Sequence, residues 1–269
     1  ARLGNAGGVI VGLGRDENYL ASDIPAILEH TQQVIFLEDG EMAVITAGGV
    51  AFSQLDGTPV VKQPQTITWD PISAVKGQYR HFMQKEIYEQ PQSIQSTIRG
   101  RIDFTTGQVC FEELELSPAE AKAIDRLLIV ACGTSAHAGL VGKFIIEKLA
   151  RIKVEVDYAS EFRYRDPLID PGNVILTITQ SGETVDTLAA MEEARQKGAK
   201  LWTIVNVQGS MAHRISDGCI LMQAGPEIGV ASTKAFTTTL TDLFLLGLYL
   251  GQLRGYLSPE ESYELATEL

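Results

Sequence analysis

The sequence predicts an α/β protein with a doubly wound parallel sheet of five strands, preceded by a β-rich segment. Three observations carry this. Residues 127–131 and 174–178 are short, nearly all-apolar runs rich in β-branched side chains, the pattern of parallel strands covered on both faces. Together with strand patterns at 154–158, 201–205 and 220–222 they alternate with helix-period sequence, which implies right-handed crossovers. Two strand-to-helix loops, Cys132-Gly133-Thr134-Ser135 and Thr179-Gln180-Ser181-Gly182-Glu183-Thr184, carry small hydroxyl residues and a glycine. Both fall on the carboxyl edge of the sheet, where backbone amides and positive helix ends converge.

Taken in order, residues 1–69 read as β-rich. A strand is expected at 7–14, a short helix at 24–30 with Pro25 in its first turn, and a strand at 34–37. Asp39-Gly40 supplies a positive-φ turn predicted to fold that strand onto 42–45 as a hairpin, and Asp56-Gly57 links 50–52 with 59–61. From 66 to 77 the pattern lapses into a connector containing Pro71, and the composition then changes. The domain boundary is therefore expected there, giving segments 1–74 and 75–269. Residues 81–89 and 92–99 read as one helix interrupted at Pro91, and Ser117-Pro118-Ala119-Glu120 as a capped helix start. The helix after strand 127–131 carries Val141, Phe144, Ile145 and Leu149 on one predicted face. Helical sequence follows at 161–165, from Thr184 to a stop at Gly198, at 211–216, and from about Ser232.

Composition bounds the function. At 269 residues, with 45% hydrophobic and 21% charged side chains, the chain can bury a sizeable core in one large or two modest domains. A net charge of −12 and a pI near 4.8 argue against a nucleic-acid surface, which needs clustered Lys and Arg. The most apolar run, 243–250, lies between Asp242 and Arg254 and is far short of the ~20 residues of a membrane span. It reads as a core or interface helix, and no signal peptide is visible. Cys110, Cys132 and Cys219 are too few and scattered for a disulfide framework, which points to a reducing cytosol. The chain opens on Ala1 and ends in a helical pattern that starts near Ser258 and shows no glycine stop. It therefore reads as a piece of a longer protein.

The two loops, joined on the same edge by Gly229-Val230-Ala231-Ser232-Thr233-Lys234, form a candidate anion cradle. There is no GxxxxGK[ST], and Gly12-Leu13-Gly14 satisfies only the first half of a dinucleotide fingerprint without the βαβ unit. A phosphate monoester fits better: Ser and Thr hydroxyls can donate to its oxygens, and Gln180 can bond sugar hydroxyls. In so acidic a chain, local amides and helix ends must supply the binding. The bland reading makes these hydroxyls N-caps. Cys132 reads as pocket wall, since nothing in the sequence supplies an activating base. His30, His81, His137 and His213 read as packing or surface residues. Lys234 and Glu227 are open between ligand contact and structural pairing. No metal and no cofactor is expected.

Four motifs carry a family resemblance: Cys132-Gly-Thr-Ser135, residues 160–165 (SEFRYR), Thr179-Gln-Ser-Gly-Glu-Thr184 and residues 227–236 (EIGVASTKAF). They resemble the first sugar isomerase (SIS) subdomain of the glutamine:fructose-6-phosphate aminotransferases. Upstream, 76–91 resembles the segment entering the isomerase domain, and 11–23 with 36–40 resembles the end of the N-terminal-nucleophile glutaminase domain. The resemblance implies an SIS fold preceded by a remnant of that glutaminase domain, in an enzyme making glucosamine 6-phosphate for amino-sugar synthesis.

Carried over by motif, it implies phosphate contacts from Ser135, Gln180, Ser181 and Thr184. Cys132, Gly133, Thr134 and Thr179 would line the same pocket, with Val230 and Ser232 near the sugar. Thr179 stands where the family often has Ser. The family's glutaminase needs an N-terminal cysteine, where this chain has Ala1. Its acid–base Glu, Schiff-base Lys and ring-opening His come from a second SIS subdomain, so no catalytic residue is assigned here. A chain inactive alone, which binds fructose 6-phosphate weakly and belongs to a cytoplasmic, homodimeric parent, is implied. Two rivals are a non-catalytic sugar-phosphate sensor, marked by a joined DNA-binding helix-turn-helix, and a stand-alone phosphosugar isomerase, marked by interconversion of added sugar phosphates.

Overall fold

The computed structural model describes residues 1–4, 8–46, 48–69 and 74–268. Strands β1 (Ile10–Leu13), β2 (Asn18–Ala21) and β3 (Gln33–Phe36) begin the chain, followed by β4 (Glu41–Thr46), β5 (Gly49–Gln54) and β6 (Gln65–Thr66). The expected strand at 7–14 is thus β1; Gly7 lies outside the described residues, as does Pro71 of the connector. Residues 24–30 form successive turns, with Ile27 N–H bonded to Ile24 O and His30 N–H to Ile27 O, rather than the expected helix.

The expected hairpin between 34–37 and 42–45 does not form. Gly40 does take the left-handed conformation, with φ 77°, but β3 pairs antiparallel with β1 and β6, whereas β4 pairs with β5. Val34, Ile35 and Phe36 are all buried, so β3 belongs in the centre of a sheet of order β2-β1-β3-β6. The turn instead bonds residue 2, whose N–H reaches Glu41 O and whose carbonyl accepts from Gly40 N–H. The Asp56-Gly57 turn forms as expected, Gln54 N–H bonding Thr58 O and Val60 N–H bonding Phe52 O.

Helix α1 (Phe82–Ile98) runs unbroken through Pro91, against the expected interruption. Proline removes the bond to Ile87 O, and the Gln90 side-chain amide donates to that carbonyl at 3.0 Å instead. A small hairpin, β7 (Ile102–Asp103) and β8 (Gln108–Val109), leads to α2 (Pro118–Ala123), whose Ser117 and Glu120 form the expected capping box.

From β9 (Arg126–Ala131) the chain alternates: α3 (Gly133–Ala150), β10 (Lys153–Tyr158), α4 (Ala159–Phe162), β11 (Asn173–Thr179), α5 (Val185–Gln196), β12 (Lys200–Val205), α6 (Met211–Ile215), β13 (Gly218–Leu221) and α7 (Lys234–Arg254), then α8 (Pro259–Ala266). Strands β9 to β13 form one parallel sheet of order β10-β9-β11-β12-β13. Alternate residues serve opposite faces: Leu127, Ile129 and Ala131 pack towards α3 and α7, and Leu128 and Val130 towards α4, α5 and α6. Among the described residues no helix is long and apolar enough to cross a membrane.

The four residues expected on one face of α3 divide: Ile145 and Leu149 pack on the core, and Val141 and Phe144 do not. Val141 is 43% and Phe144 71% exposed, while Ala136, Gly139, Gly142, Ile146 and Leu149 are buried. A methyl on Gly139 would lie 2.8 Å from Ile129, and one on Gly142 2.7 Å from Leu243. The helix therefore lies so close to β9 and α7 at Gly139 and Gly142 that only glycine fits there, while Ile146 and Leu149 of its second half still pack inward.

Arg101, just beyond α1, ties the layers together. Its guanidinium pairs with the fully buried Asp242 of α7, donates to Leu221 O at 2.7 Å and lies 3.5 Å from Glu113. Burial raises the Asp242 carboxyl, and Arg101 opposes that rise. Removing one partner of such a pair leaves a buried charge alone, so Arg101→Met should cost ~3–5 kcal/mol. The urea midpoint, at unchanged slope, checks it.

Candidate functional site

The strand order places β9 beside β11 while their following helices leave to opposite faces, so the crevice at the switch in strand order opens between their carboxyl ends. After β9, Cys132 is extended (φ −120°, ψ 156°) and Gly133 turns left-handed at φ 55° to start α3. After β11, Thr179 Oγ1 accepts the Gly182 N–H at 3.2 Å and shares a 3.3 Å bond with Thr184 Oγ1. Gly182 is left-handed at φ 71°. Ser181 Oγ accepts the Glu183 N–H at 3.2 Å, which leaves its own hydrogen to donate to whatever sits in the crevice.

Two cavities meet there. One, of about 130 Å³, is lined by Cys132, Ser135, Thr179, Gln180, Ser181 and Thr184. The other, of about 140 Å³, shares Ser135 and Gln180 and adds Thr134, Val230, Ser232 and the apolar Met222 and Phe236. Nine of the ten residues singled out from sequence thus line one continuous depression. Gly133 lines neither cavity; its contribution is the left-handed turn. A larger trough of about 800 Å³, lined in part by Thr68, Arg99 and Glu113, lies elsewhere and holds none of the ten.

The N-cap reading fails on geometry. Neither α3, capped by the oxygen-free Cys132 side chain, nor α5, with Thr184 at its N-cap, has a side-chain cap bond. By contrast α2 and α8, away from the crevice, both carry full capping boxes. The positive ends of α3 and α5 are therefore available to an anion. No Lys or Arg lines either cavity.

Sequence reading missed the residue that holds these loops in register. Asn206, after β12, is buried; its backbone N–H bonds Gln180 O at 3.2 Å, its side-chain amide donates to Gly225 O at 2.7 Å, and its side-chain oxygen accepts Ala224 N–H at 3.0 Å. A lone Asn after a strand carries no sequence signal of that role. Glu183 was also missed: Oε1 accepts Met211 N–H at 2.8 Å, and Oε2 lies 3.8 Å from Arg2. Burial raises its carboxyl, with the Met211 amide, Arg2 and Arg214 opposing.

The open alternatives resolve towards structure. Lys234 is buried and pairs with Glu89 at 2.7 Å. Glu227 reaches the depression, yet its Oε1 accepts Thr233 N–H at 2.8 Å and Ala235 N–H at 3.0 Å, capping α7. His30 stacks on Tyr19 at 4.8 Å, His81 and His137 are exposed, and His213 Nδ1 accepts the Gly209 N–H at 2.9 Å.

A five-stranded parallel sheet of this order, with uncapped helix starts around one depression, defines a class. Residues 121–247 match the family model of the SIS domain, and the chain is an SIS-domain protein. Over 261 residues it is 48% identical to the glutamine–fructose-6-phosphate aminotransferase [isomerizing] of Symbiobacterium thermophilum, and over 262 residues 46% identical to that of Clostridium acetobutylicum. Each match covers 97% of this chain and 43% of the relative. The C-terminal domain of glucosamine-fructose-6-phosphate aminotransferase from Francisella tularensis superposes with a TM-score of 0.68 at 37% identity, over 72% of this chain and 54% of that one. The chain is similar to these aminotransferases over 97% of its own length, and it spans less than half the length of the curated relatives it matches.

Two outcomes follow from the geometry. A methyl on Gly182 would lie 2.0 Å from Ser210 Oγ, at a backbone φ that disfavours it; Gly182→Ala should cost ~1–3 kcal/mol of stability, read by urea unfolding. Burial, with Arg214 beside it, lowers His213 below its ordinary value of 6.5. The unfolded chain therefore binds the proton more readily, and this contribution to stability is present above pH 6.5 and lost as pH falls through the lower folded value. His213→Asn, which keeps an acceptor but cannot charge, should flatten the fall in melting temperature below pH 6.5.

Proposed function

We propose that this chain supplies the phosphosugar-binding part of an enzyme that converts fructose 6-phosphate and glutamine to glucosamine 6-phosphate. The observation that carries the proposal is the depression itself: hydroxyls, backbone amides and two uncapped helix ends converge where no cationic side chain does. The phosphate would sit in the cavity of Ser135, Gln180, Ser181 and Thr184, with Cys132, Thr179 and the Gly133 turn forming its floor. The sugar would extend past Thr134 towards Val230 and Ser232. Fixed amide dipoles suit a dianion in an acidic chain, because they act at contact range where long-range repulsion is screened.

In this reading residues 1–74 are the end of a glutaminase domain with its linker, and 75–269 are the first SIS domain. Proton transfer and amination would be completed by a second SIS domain and a glutaminase nucleophile from the rest of the parent, so the chain alone would bind without turnover. The exposed stripe of Leu140, Val141 and Phe144 on α3 supports a covering surface supplied by that remainder or by a second copy in a homodimer. The parent would act in the cytoplasm, apart from membranes and nucleic acids.

Ser181→Ala should weaken fructose 6-phosphate binding by ~1.5–3 kcal/mol, the range for a hydrogen bond to a charged group. Isothermal titration reads it directly. Unchanged affinity would move the phosphate away from this loop.

A further inference from the structure

Helix α1 buries a polar face. Glu86, Ser93 and Thr97 are all buried, and among the described residues every bond they make to another element goes to the chain between β13 and α7. Thr97 Oγ1 donates to Met222 O at 2.6 Å and Ser93 Oγ to Ala224 O at 3.4 Å. Glu86 Oε1 accepts Ile228 N–H at 2.6 Å and Gly229 N–H at 2.9 Å, and its Oε2 lies 3.4 Å from Thr233 Oγ1.

Val230, in the middle of that segment, is left-handed at φ 68°. A β-branched residue holds such a conformation only where its surroundings impose it. Its side chain is 99% exposed, so packing on the side chain cannot be what imposes it. The flanks do: Glu86 grips the two preceding amides, Ala231 N–H bonds Gly229 O at 2.9 Å, and Glu227 grips the amides of Thr233 and Ala235. Glu227 itself lines the depression; Glu86 is 1% exposed and lines neither cavity.

We infer that Glu86 is a positioning residue for the sugar end of the depression: its buried carboxylate holds the 228–233 segment so that Val230 and Ser232 close the cavity beyond the phosphate. The inference rests on the phosphosugar reading above. It differs from a general packing role because, among the described residues, Glu86 makes no hydrogen bond to the loops at 132–135 and 179–184, which would hold the phosphate. Loss of Glu86 should therefore affect the sugar and spare the phosphate.

The test titrates the 269-residue chain with fructose 6-phosphate and, separately, with inorganic phosphate. Glu86→Ala leaves two backbone amides without their acceptor and should weaken fructose 6-phosphate about tenfold, with inorganic phosphate unchanged. Glu86→Gln should restore most of the loss, since one side-chain oxygen can accept both amides while its NH2 group faces Thr233 Oγ1. Gly229→Ala attacks the same contact from the other side, because its methyl would lie 2.4 Å from Glu86 Oε2. It should reproduce the selective loss, and it decides the matter if Glu86→Ala does not fold. Equal weakening of both ligands, or of neither, would overturn the inference. Binding of neither ligand by the unaltered chain would instead overturn the phosphosugar reading.

Discussion

Backbone amides at the carboxyl edge of the parallel sheet, where α3 and α5 begin without side-chain caps, are the constraint around which the molecule is arranged. Strands buried on both faces can present polar groups only at their ends, and the exchange of β10 and β11 around β9 opens a crevice at one such end. Everything nearby serves to hold those amides still. Asn206 ties the 180 loop to the 224–225 segment, and Gly182 is admitted so close to Ser210 that no side chain would fit.

The same reasoning explains how so acidic a chain can offer an anion site. The carboxylates nearest the crevice are occupied by the protein's own donors. Glu227 caps α7, Glu86 grips the preceding turn, and Glu183 accepts from Met211 while facing Arg2. Each acid thereby orders a loop, and charge-assisted bonds to backbone amides are among the stronger contacts available for that purpose. Asp242, deeper in the core, is held in the same manner by Arg101.

Much of this was legible in the residues. The five strands, their alternation with helices and the capping boxes at Ser117 and Ser258 follow from local chemistry that tertiary contacts do not reverse. That the loops at 132–135 and 179–184 share one edge was also legible, because a parallel strand followed at once by Gly, Ser and Thr can end only on one edge of the sheet. Other elements were misread for identifiable reasons. Gly40 does turn the chain, but the burial of Val34, Ile35 and Phe36 sends β3 to other partners. Pro91 sits inside a helix because Gln90 replaces the bond it removes. Val141 and Phe144 of α3 face outward, while Ile145 and Leu149 pack on the core, because Gly139 and Gly142 draw the glycine side of the helix against β9 and α7.

By itself the sequence determined the five strands of the parallel sheet, which of their loops share an edge and which hydroxyl residues those loops carry, since each depends on neighbours a few residues away. Only the tertiary structure decided that Asn206, Glu183 and Glu86 hold those loops, that Lys234 turns to Glu89, and that Val230 stands strained and uncovered. Those facts rest on hydrogen bonds between residues up to 147 positions apart, and no local pattern in a chain encodes which distant amide a carboxylate will meet.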